Sequence, residues 1–191
     1  MRAGLDKDII LKAAADMADA KGIASVTLKA LAEELGVKSP SLYKHIGGLE
    51  ELNREVMLYG WKMLEEEILH AAVGKSKDDA LRAIFHTYRN YVIAHPGVFE
   101  AMQWYNMYCS EKDLQATAGI VTVLFQILDA YALTNDQKVH LVRMFRGFLQ
   151  GFLNVESHGG YGNPMPIEQS FDFALDIMLR GIHNLQGGNT K

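Results

Sequence analysis

Apolar residues recur along this chain with the spacing of amphipathic helices. Ile10, Ala13, Ala14, Met17 and Ala18 follow one another at i, i+3, i+4, i+7 and i+8, which places them on one helical face. Similar patterns predict eight further helices, at about 28–35, 40–46, 49–73, 77–94, 97–108, 111–132, 135–157 and 167–186. No stretch of the sequence gives the period-2 alternation of a convincing strand. The pattern therefore predicts an all-α protein of about nine helices.

The first three predicted helices are separated by residues that typically begin or end a helix. Thr27 stands where an N-cap side chain would begin the second helix, and Gly36 stands where a glycine commonly ends one. Ser39 is expected to cap the third helix, with Pro40 as its first residue, where a missing N–H costs nothing. The second and third helices are thus joined by a tight turn, which is helix-turn-helix geometry.

The third helix carries side chains that suit contact with DNA. A helix enters the major groove when its leading residues are small or polar, and residues 39–41 read Ser-Pro-Ser. Tyr43, Lys44 and His45 then offer a phenol, a cation and an imidazole to phosphates or base edges. Each of these residues alone also fits an ordinary structural role. Their combination in a helix-turn-helix predicts a DNA-reading element.

Composition and charge restrict the class of protein. The 191 residues carry a net charge of −4, but residues 1–46 hold 7 basic and 6 acidic side chains, so the acidic excess lies in the remainder. The single cysteine, Cys109, cannot form an internal disulfide, and no secretory segment is evident, so we expect a cytoplasmic protein. Gln126 and Asp129 interrupt the most apolar segment, which favours a buried helix over a membrane span.

The segment from Asp8 to Leu52, "DIILKAAADMADAKGIASVTLKALAEELGVKSPSLYKHIGGLEEL", resembles the DNA-binding domain of the tetracycline-repressor (TetR) family. Many relatives have a lysine at the start of the fourth helix that reaches a phosphate, whereas this chain has Leu49 there. The resemblance implies a helix-turn-helix domain over residues 1–48 that contacts an operator. The contacting residues that it implies are Thr27, Lys29, Lys38, Ser39, Pro40, Ser41, Tyr43, Lys44 and His45.

The remainder, residues 49–191, is expected to be a helical ligand-binding and dimerisation domain. "HPGVFEAM" and "RGFLQGFLNVESHGGYG" resemble a subgroup named after a Trp-His-Gly motif, of which only Gly147 is present here. In that family the last two helices form the interface of a homodimer, which reads a palindromic operator. The interface residues expected on these helices are Phe145, Leu149, Phe152, Phe171, Leu175, Met178 and Ile182.

Aromatic and methionine side chains predict a mostly apolar ligand pocket with a few hydroxyl groups. The same residues would equally suit a close-packed core. The histidines share no metal-ligand spacing, so we expect neither a metal nor a cofactor. The pocket residues expected are Trp61, Phe85, Tyr88, Tyr91, Phe99, Met102, Trp104, Tyr105, Tyr108, Phe125, Met144 and Phe148.

Three functions are compatible with this sequence. The first is a DNA-binding transcriptional regulator, a repressor that binds a palindromic operator as a homodimer and is released by a small apolar or amphipathic ligand. The alternative is an all-α small-molecule-binding protein or enzyme with an incidental helix-turn-helix, although no nucleophile–base pair or phosphate loop is evident. A non-specific DNA-coating protein is disfavoured by the acidic second part of the chain. We therefore predict a non-enzymatic regulator.

Overall fold

The computed structural model describes residues 5–104 and 118–187, and all of its regular structure is helical. The prediction of an all-α fold is confirmed, since these described ranges contain no strand. None of the helices in the described ranges has the length and apolar character needed to cross a bilayer. The helices are α1 (Lys7–Lys21), α2 (Leu28–Glu34), α3 (Ser39–Leu42), α4 (Leu49–Ala72), α5 (Lys77–Ala94), α6 (Pro96–Met102), α7 (Ala118–Leu128), α8 (Asn135–Ser157) and α9 (Ile167–Gly187).

Side-chain caps explain why several of these helices begin where they do. The predicted cap of α2 is present, since Thr27 Oγ1 accepts a hydrogen bond from Ala30 N at 3.1 Å. In α8, Thr134 and Gln137 form a capping box, in which each side chain bonds the backbone N–H of the other residue. These contacts satisfy backbone donors that a helix leaves free in its first turn.

The third helix differs from the prediction in its start and its length. Its N-cap is Lys38 rather than Ser39, because the extended backbone conformation (φ −81°, ψ 142°) falls on Lys38 and no side chain caps the helix. The helix ends at Leu42, and residues 43–45 continue as a turn in which His45 N bonds Leu42 O at 2.9 Å. Pro40 is therefore the second helical residue, where its missing N–H is still without cost.

The chain divides into two compact units, which differ from the domains expected from the sequence. Unit 1 comprises Met1–Glu65 with Ile93–Thr117, and unit 2 comprises Glu66–Val92 with Ala118–Lys191. Of the three points where the chain passes from one unit to the other, one thus lies within α4 and one within α5. The functional division at residue 48 stays a prediction.

The core of unit 1 holds the helix-turn-helix in place. Ile10, Ala14 and Ala18 of α1 are fully buried, as is Leu31 of α2. Leu52 of α4 joins the same apolar cluster, so the helix-turn-helix and the first turns of α4 share one core.

Within unit 1, α6 packs unusually closely on the end of α1. A Cβ atom added at Gly97 would lie 2.0 Å from the carbonyl oxygen of Ala18, so only glycine permits this approach. The carboxylate of Asp19 accepts a hydrogen bond from Val98 N at 2.9 Å and lies 2.7 Å from Nδ1 of His95. One carboxylate of α1 thus binds the N-terminal turn of α6.

The core of unit 2 is rich in phenylalanine. Phe85 of α5 meets Phe145 of α8 edge to face, with ring centroids 5.1 Å apart. Phe171 of α9 lies 5.6 Å from Phe148 and 5.3 Å from Phe152. These rings join α5, α8 and α9 into one apolar cluster.

Polar contacts border this cluster. Arg89 of α5 binds Glu156 of α8 with two hydrogen bonds, Nε–Oε2 at 3.0 Å and Nη2–Oε1 at 2.6 Å. The two side chains are 11% and 13% exposed, and the guanidinium lies 5.7 Å from the centroid of Phe171. The hydrogen bond to Glu156 raises the pKa of Arg89, so this largely buried pair stays ionised.

A second polar group joins the start of α5 to the end of α9. The Tyr131 hydroxyl donates to Oδ1 of Asp78 at 2.7 Å, and Nε2 of His183 lies 2.9 Å from Oδ2. Burial acts to raise the pKa of Asp78, but the hydrogen bonds from His183 and Tyr131 outweigh it and hold the pKa below its usual value. Burial and the bond to Asp78 raise the pKa of Tyr131.

Candidate nucleic-acid interface

The helix-turn-helix is fixed by two buried residues and one glycine. Leu42 has no exposed surface and Ile46 has 1%, so both anchor the segment in the core of unit 1. Gly36 takes a positive φ of 65° at the end of α2, a conformation that glycine adopts without strain. The following Val37 N bonds Ala32 O at 2.9 Å, which closes the turn before α3.

The residues predicted to contact DNA lie on the outer side of this segment. Tyr43 is 58% exposed although its neighbour Leu42 is buried. Thr27 uses its oxygen to cap α2, which leaves the hydroxyl hydrogen able to donate to a phosphate. The exposed members of the predicted set are Thr27, Lys29, Lys38, Pro40, Tyr43 and Lys44, and the half-buried ones are Ser39, Ser41 and His45.

The cations of unit 1 differ in how they are paired. Lys7 of α1 lies 2.9 Å from Glu55, and Lys12 lies 2.8 Å from Asp16. Among the described residues, no carboxylate lies within salt-bridge distance of the three lysines on the outer side of the helix-turn-helix. These three are Lys29, Lys38 and Lys44. The helix-turn-helix therefore presents positive charge that the described part of the protein does not neutralise.

The start of α4 is unsuited to holding a phosphate. Gly47 N donates to Oε2 of Glu51 at 2.8 Å, and Glu50 adds a second negative charge to the first turn. Leu49, where relatives carry a lysine, is 43% exposed. This turn is therefore acidic and internally bonded.

The predicted pocket residues are shared between the two units. Trp61, Phe99 and Met102 are buried in unit 1 and Trp104 is half-buried there. In unit 2, Phe85, Tyr88 and Tyr91 are buried, Phe125 and Phe148 are half-buried, and Met144 is 42% exposed. Tyr105 and Tyr108 lie outside the described residues, as does Cys109. A single ligand site formed by this set stays a prediction.

Most of the residues predicted for the dimer interface are buried within the single chain, and their place in an interface stays a prediction. Five of the seven have at most 5% of their surface exposed in a single chain, so a second copy could cover almost nothing more of them. They are Phe145, Leu149, Phe171, Leu175 and Ile182, while Phe152 and Met178 are half-buried. The outward apolar positions of α9 are instead Phe173 (69% exposed) and Ile177 (54% exposed). Their i, i+4 spacing beside the buried stripe was the sequence signal for a second apolar face.

The described residues contain no group of three or more His, Cys, Asp or Glu side chains that could hold a metal ion. Several histidine, arginine and aspartate side chains are instead paired with one another or with a lysine or glutamate of their own unit. The pairs are His86 with Asp172, Arg89 with Glu156, His95 with Asp19, and Asp129 with Lys138.

Sequence comparison places similar proteins among transcriptional regulators. Residues 10–56 match the family model described as "Bacterial regulatory proteins, tetR family", and residues 81–178 match "Tetracyclin repressor-like, C-terminal domain". The chain is 28% identical over 184 residues to the HTH-type transcriptional regulator YobS of Bacillus subtilis (strain 168), covering 95% of this chain and 94% of the relative. It is 30% identical over 158 residues to the HTH-type transcriptional regulator Rv0681 of Mycobacterium tuberculosis, covering 82% and 72%.

Solved structures share the fold at low sequence identity. A protein of unknown function from Rhodococcus sp. RHA1 superposes with a TM-score of 0.79 at 17% identity, covering 94% of this chain and 96% of that one. TetR from Acinetobacter baumannii AYE gives a TM-score of 0.74 at 16% identity, covering 96% and 99%. A variant of that TetR in complex with minocycline also gives 0.74, at 18% identity and with the same coverage.

Proposed function

Because the chain belongs to the tetR family of bacterial transcriptional regulators, we propose that it is a homodimeric repressor that is released from a palindromic operator by a small apolar or amphipathic ligand. The observation that carries the proposal is the charge of the helix-turn-helix. Its outer side offers Lys29, Lys38 and Lys44 without a salt-bridge partner in the described residues, although the chain as a whole carries −4. Positive charge concentrated on a reading element of an acidic protein suits local contact with phosphates.

The small residues at the start of α3 suit base contact, and the residues after it suit phosphate contact. Ser39, Pro40 and Ser41 lead the helix and leave room for approach to base edges. Tyr43, exposed and held between two buried residues, is well placed to donate to a phosphate. We thus assign sequence preference to residues 39–41 and affinity to Tyr43 and its neighbours.

Two variants separate the residues that set sequence preference from those that set affinity. Binding is measured by fluorescence anisotropy, once with a selected operator and once with a random duplex. Tyr43→Phe is expected to weaken both complexes to a similar degree, because a phosphate contact carries no sequence information. Ser41→Ala is expected to change the ratio of the two affinities. Lys75→Ala, which removes an exposed lysine from unit 2, serves as the control and should alter neither complex. Unchanged affinity of Tyr43→Phe would remove that residue from the contact set.

The dimer in this proposal uses the outward face of α9. Phe173 and Ile177 expose apolar surface one helical turn apart, which is costly on a monomer and suits a two-fold contact with a second copy. The double variant Phe173→Asp with Ile177→Asp should sediment as a monomer, because two charges would be buried at the contact. Val73→Asp, at an apolar residue that is 73% exposed and directly follows α4, is the matched control and should sediment like the wild type. A dimeric double variant would exclude this face.

Release by a ligand needs a difference in affinity between two states of the dimer. A tenfold loss of operator affinity requires the ligand to favour the non-binding state by about 1.4 kcal/mol. The minocycline complex of a TetR variant with the same fold supports a small-molecule effector. The aromatic residues predicted for the pocket remain its candidate contacts, with α4 as the proposed link to the helix-turn-helix.

A further inference from the structure

An open cavity lies on the surface of unit 1, between the second half of α1 and the end of α2. Its volume is about 260 Å³, just below the range of about 300–1,000 Å³ that is usual for the pockets of drug-sized ligands. None of its lining residues belongs to the set predicted to contact DNA or to the aromatic set predicted for the ligand pocket. The cavity is therefore of a size for a small organic molecule and has a lining of its own.

The floor of this cavity is apolar and continuous with the core of unit 1. Met17 is 6% exposed and belongs to that core, and Ala13 and Leu35 pack against it. Ala13 and Ala20 lie about two turns apart on one face of α1 and carry only a methyl group each. Because these two side chains are small, the space between the helices is left unfilled and an apolar group can reach the floor.

The rim of the cavity holds a carboxylate at an electrostatically unfavourable place. The other rim carboxylate, Asp16, is paired with Lys12 at 2.8 Å. Within the described ranges, no cation lies within salt-bridge distance of Glu34. Glu34 is the last residue of α2, a helix with no basic residue in its last turn, so its charge meets the negative end of the helix dipole. A cation bound beside Glu34 would offset both negative contributions.

The remaining charges nearby do not alter this preference. Lys21 also lines the cavity, but it stands in the last turn of α1, where the dipole of its own helix stabilises a positive charge. Glu33 is exposed beside Glu34 without lining the cavity, and it adds a second negative charge to the end of α2. The end of α2 is thus negative, next to an apolar floor.

We propose that this cavity binds a small amphipathic cation, whose apolar body packs on Met17 and Leu35 and whose ammonium group pairs with Glu34. The ligand class is an organic amine on an apolar chain or ring. The apolar floor supplies contact area, and the carboxylate selects the sign of the charge. The site goes beyond the proposed function, since it lies within the unit that holds the helix-turn-helix and requires neither DNA nor a second copy of the chain.

Three probes with one skeleton test the charge preference on the full-length protein. 4-Phenylbutylamine carries an ammonium group, 4-phenylbutanol is its neutral counterpart and 4-phenylbutyrate its anionic one. The methionine methyl groups are labelled with carbon-13, and the NMR signal of Met17, assigned with Met17→Leu, reports binding on the cavity floor. We expect a saturable shift of this signal with the amine, about fivefold weaker binding of the alcohol, as for a favourable exposed ion pair, and the weakest binding of the carboxylate.

Two pairs of variants separate the cavity from its surroundings. Glu34→Gln is expected to weaken binding of the amine about fivefold and to leave the alcohol unchanged, whereas the matched control Glu33→Gln should change the amine by less than about twofold. Ala20→Leu should abolish the Met17 shift with both compounds, because the larger side chain fills the cavity. Ala24→Leu, at an exposed position outside the lining, should bind both as the wild type does.

Several results would overturn the proposal. Equal affinities for the three probes would exclude selection by charge, and equal effects of Glu34→Gln and Glu33→Gln would exclude a specific pair. An unshifted Met17 signal in the presence of the amine, or binding that survives Ala20→Leu, would exclude the cavity itself. Operator binding is measured separately, so the regulator can fail while the amine site stands, or the reverse.

Discussion

Replacing Gly97 with alanine is expected to push α6 away from α1 and to destabilise unit 1. The added Cβ would lie 2.0 Å from Ala18 O, 2.2 Å from Ala18 C and 2.8 Å from Asp19 N. These are backbone atoms inside or at the end of α1, so no side-chain rotation relieves the contact. Either α6 shifts by about 1 Å to reach normal contact distances or α1 distorts.

The expected cost combines two effects. Overpacking of a close contact costs about 1–3 kcal/mol. A shift of this size also lengthens the hydrogen bond from Val98 N to the carboxylate of Asp19, which now measures 2.9 Å and whose loss costs a further 1.5 kcal/mol or so. A total of about 3 kcal/mol corresponds to a fall in Tm of about 6–12 °C for a chain of this length.

Circular dichroism at 222 nm during heating measures this fall. The matched control is Glu100→Ala, which places alanine on the exposed side of the same helix and should leave Tm within about 2 °C of the wild type. Gly97→Ala and Glu100→Ala with equal Tm values would refute the close contact between α6 and α1. Addition of Asp19→Ala to Gly97→Ala should cost less than Asp19→Ala does alone, since both changes affect one contact.

Three further changes have expected outcomes. Thr27→Ala removes the cap of α2 and should lower the free energy of unfolding by about 1 kcal/mol in urea titrations. Asp78→Asn should be destabilising at pH 7 and less destabilising at pH 3. The folded-state pKa of Asp78 lies below the unfolded value, so its contribution is fully present above about pH 4 and declines as the pH falls toward and through the folded pKa. Urea midpoints at both pH values check this. Leu49→Lys should steepen the dependence of log K for DNA on log salt by about one phosphate contact, and an unchanged slope would place the start of α4 away from the DNA backbone.

Local sequence signals predicted where most of the first helices begin and end, because capping and turn residues act over only a few positions. As predicted, Thr27 caps the start of α2, and Gly36 follows its end with a positive φ. The start of α3 differs from the prediction by one residue, because Lys38 rather than Ser39 takes the extended cap conformation, and sequence patterns place helix ends only to within one or two residues.

The outward apolar face of α9 could not be told from its buried face by apolarity alone. α9 is apolar on two sides, and the sequence does not reveal which stripe faces its own chain. Phe171 packs against rings of α5 and α8 and is fully buried, as is Leu175, whereas Phe173 and Ile177 are exposed. A periodic pattern predicts that a face is buried, but the partner that buries it depends on contacts distant in sequence.

Contacts between residues that are distant in the sequence could not be predicted either. The pairing of Asp19 with His95 joins residues 76 positions apart, and neither residue carries a motif. The hydrogen bond from the Tyr131 hydroxyl to Asp78 likewise joins residues 53 positions apart, and only the packing of the helices brings them together.

Selection of bound sequences from a random DNA pool tests the proposed regulator most directly. With the full-length protein at physiological salt, we predict enrichment of a palindrome of about 16–20 base pairs, whose half-sites lie about one helical turn apart. The same selection with the monomeric Phe173 and Ile177 double variant should recover at most a single half-site. No enrichment by the wild type even at low salt would contradict sequence-specific operator binding, and a non-palindromic consensus would contradict the homodimer.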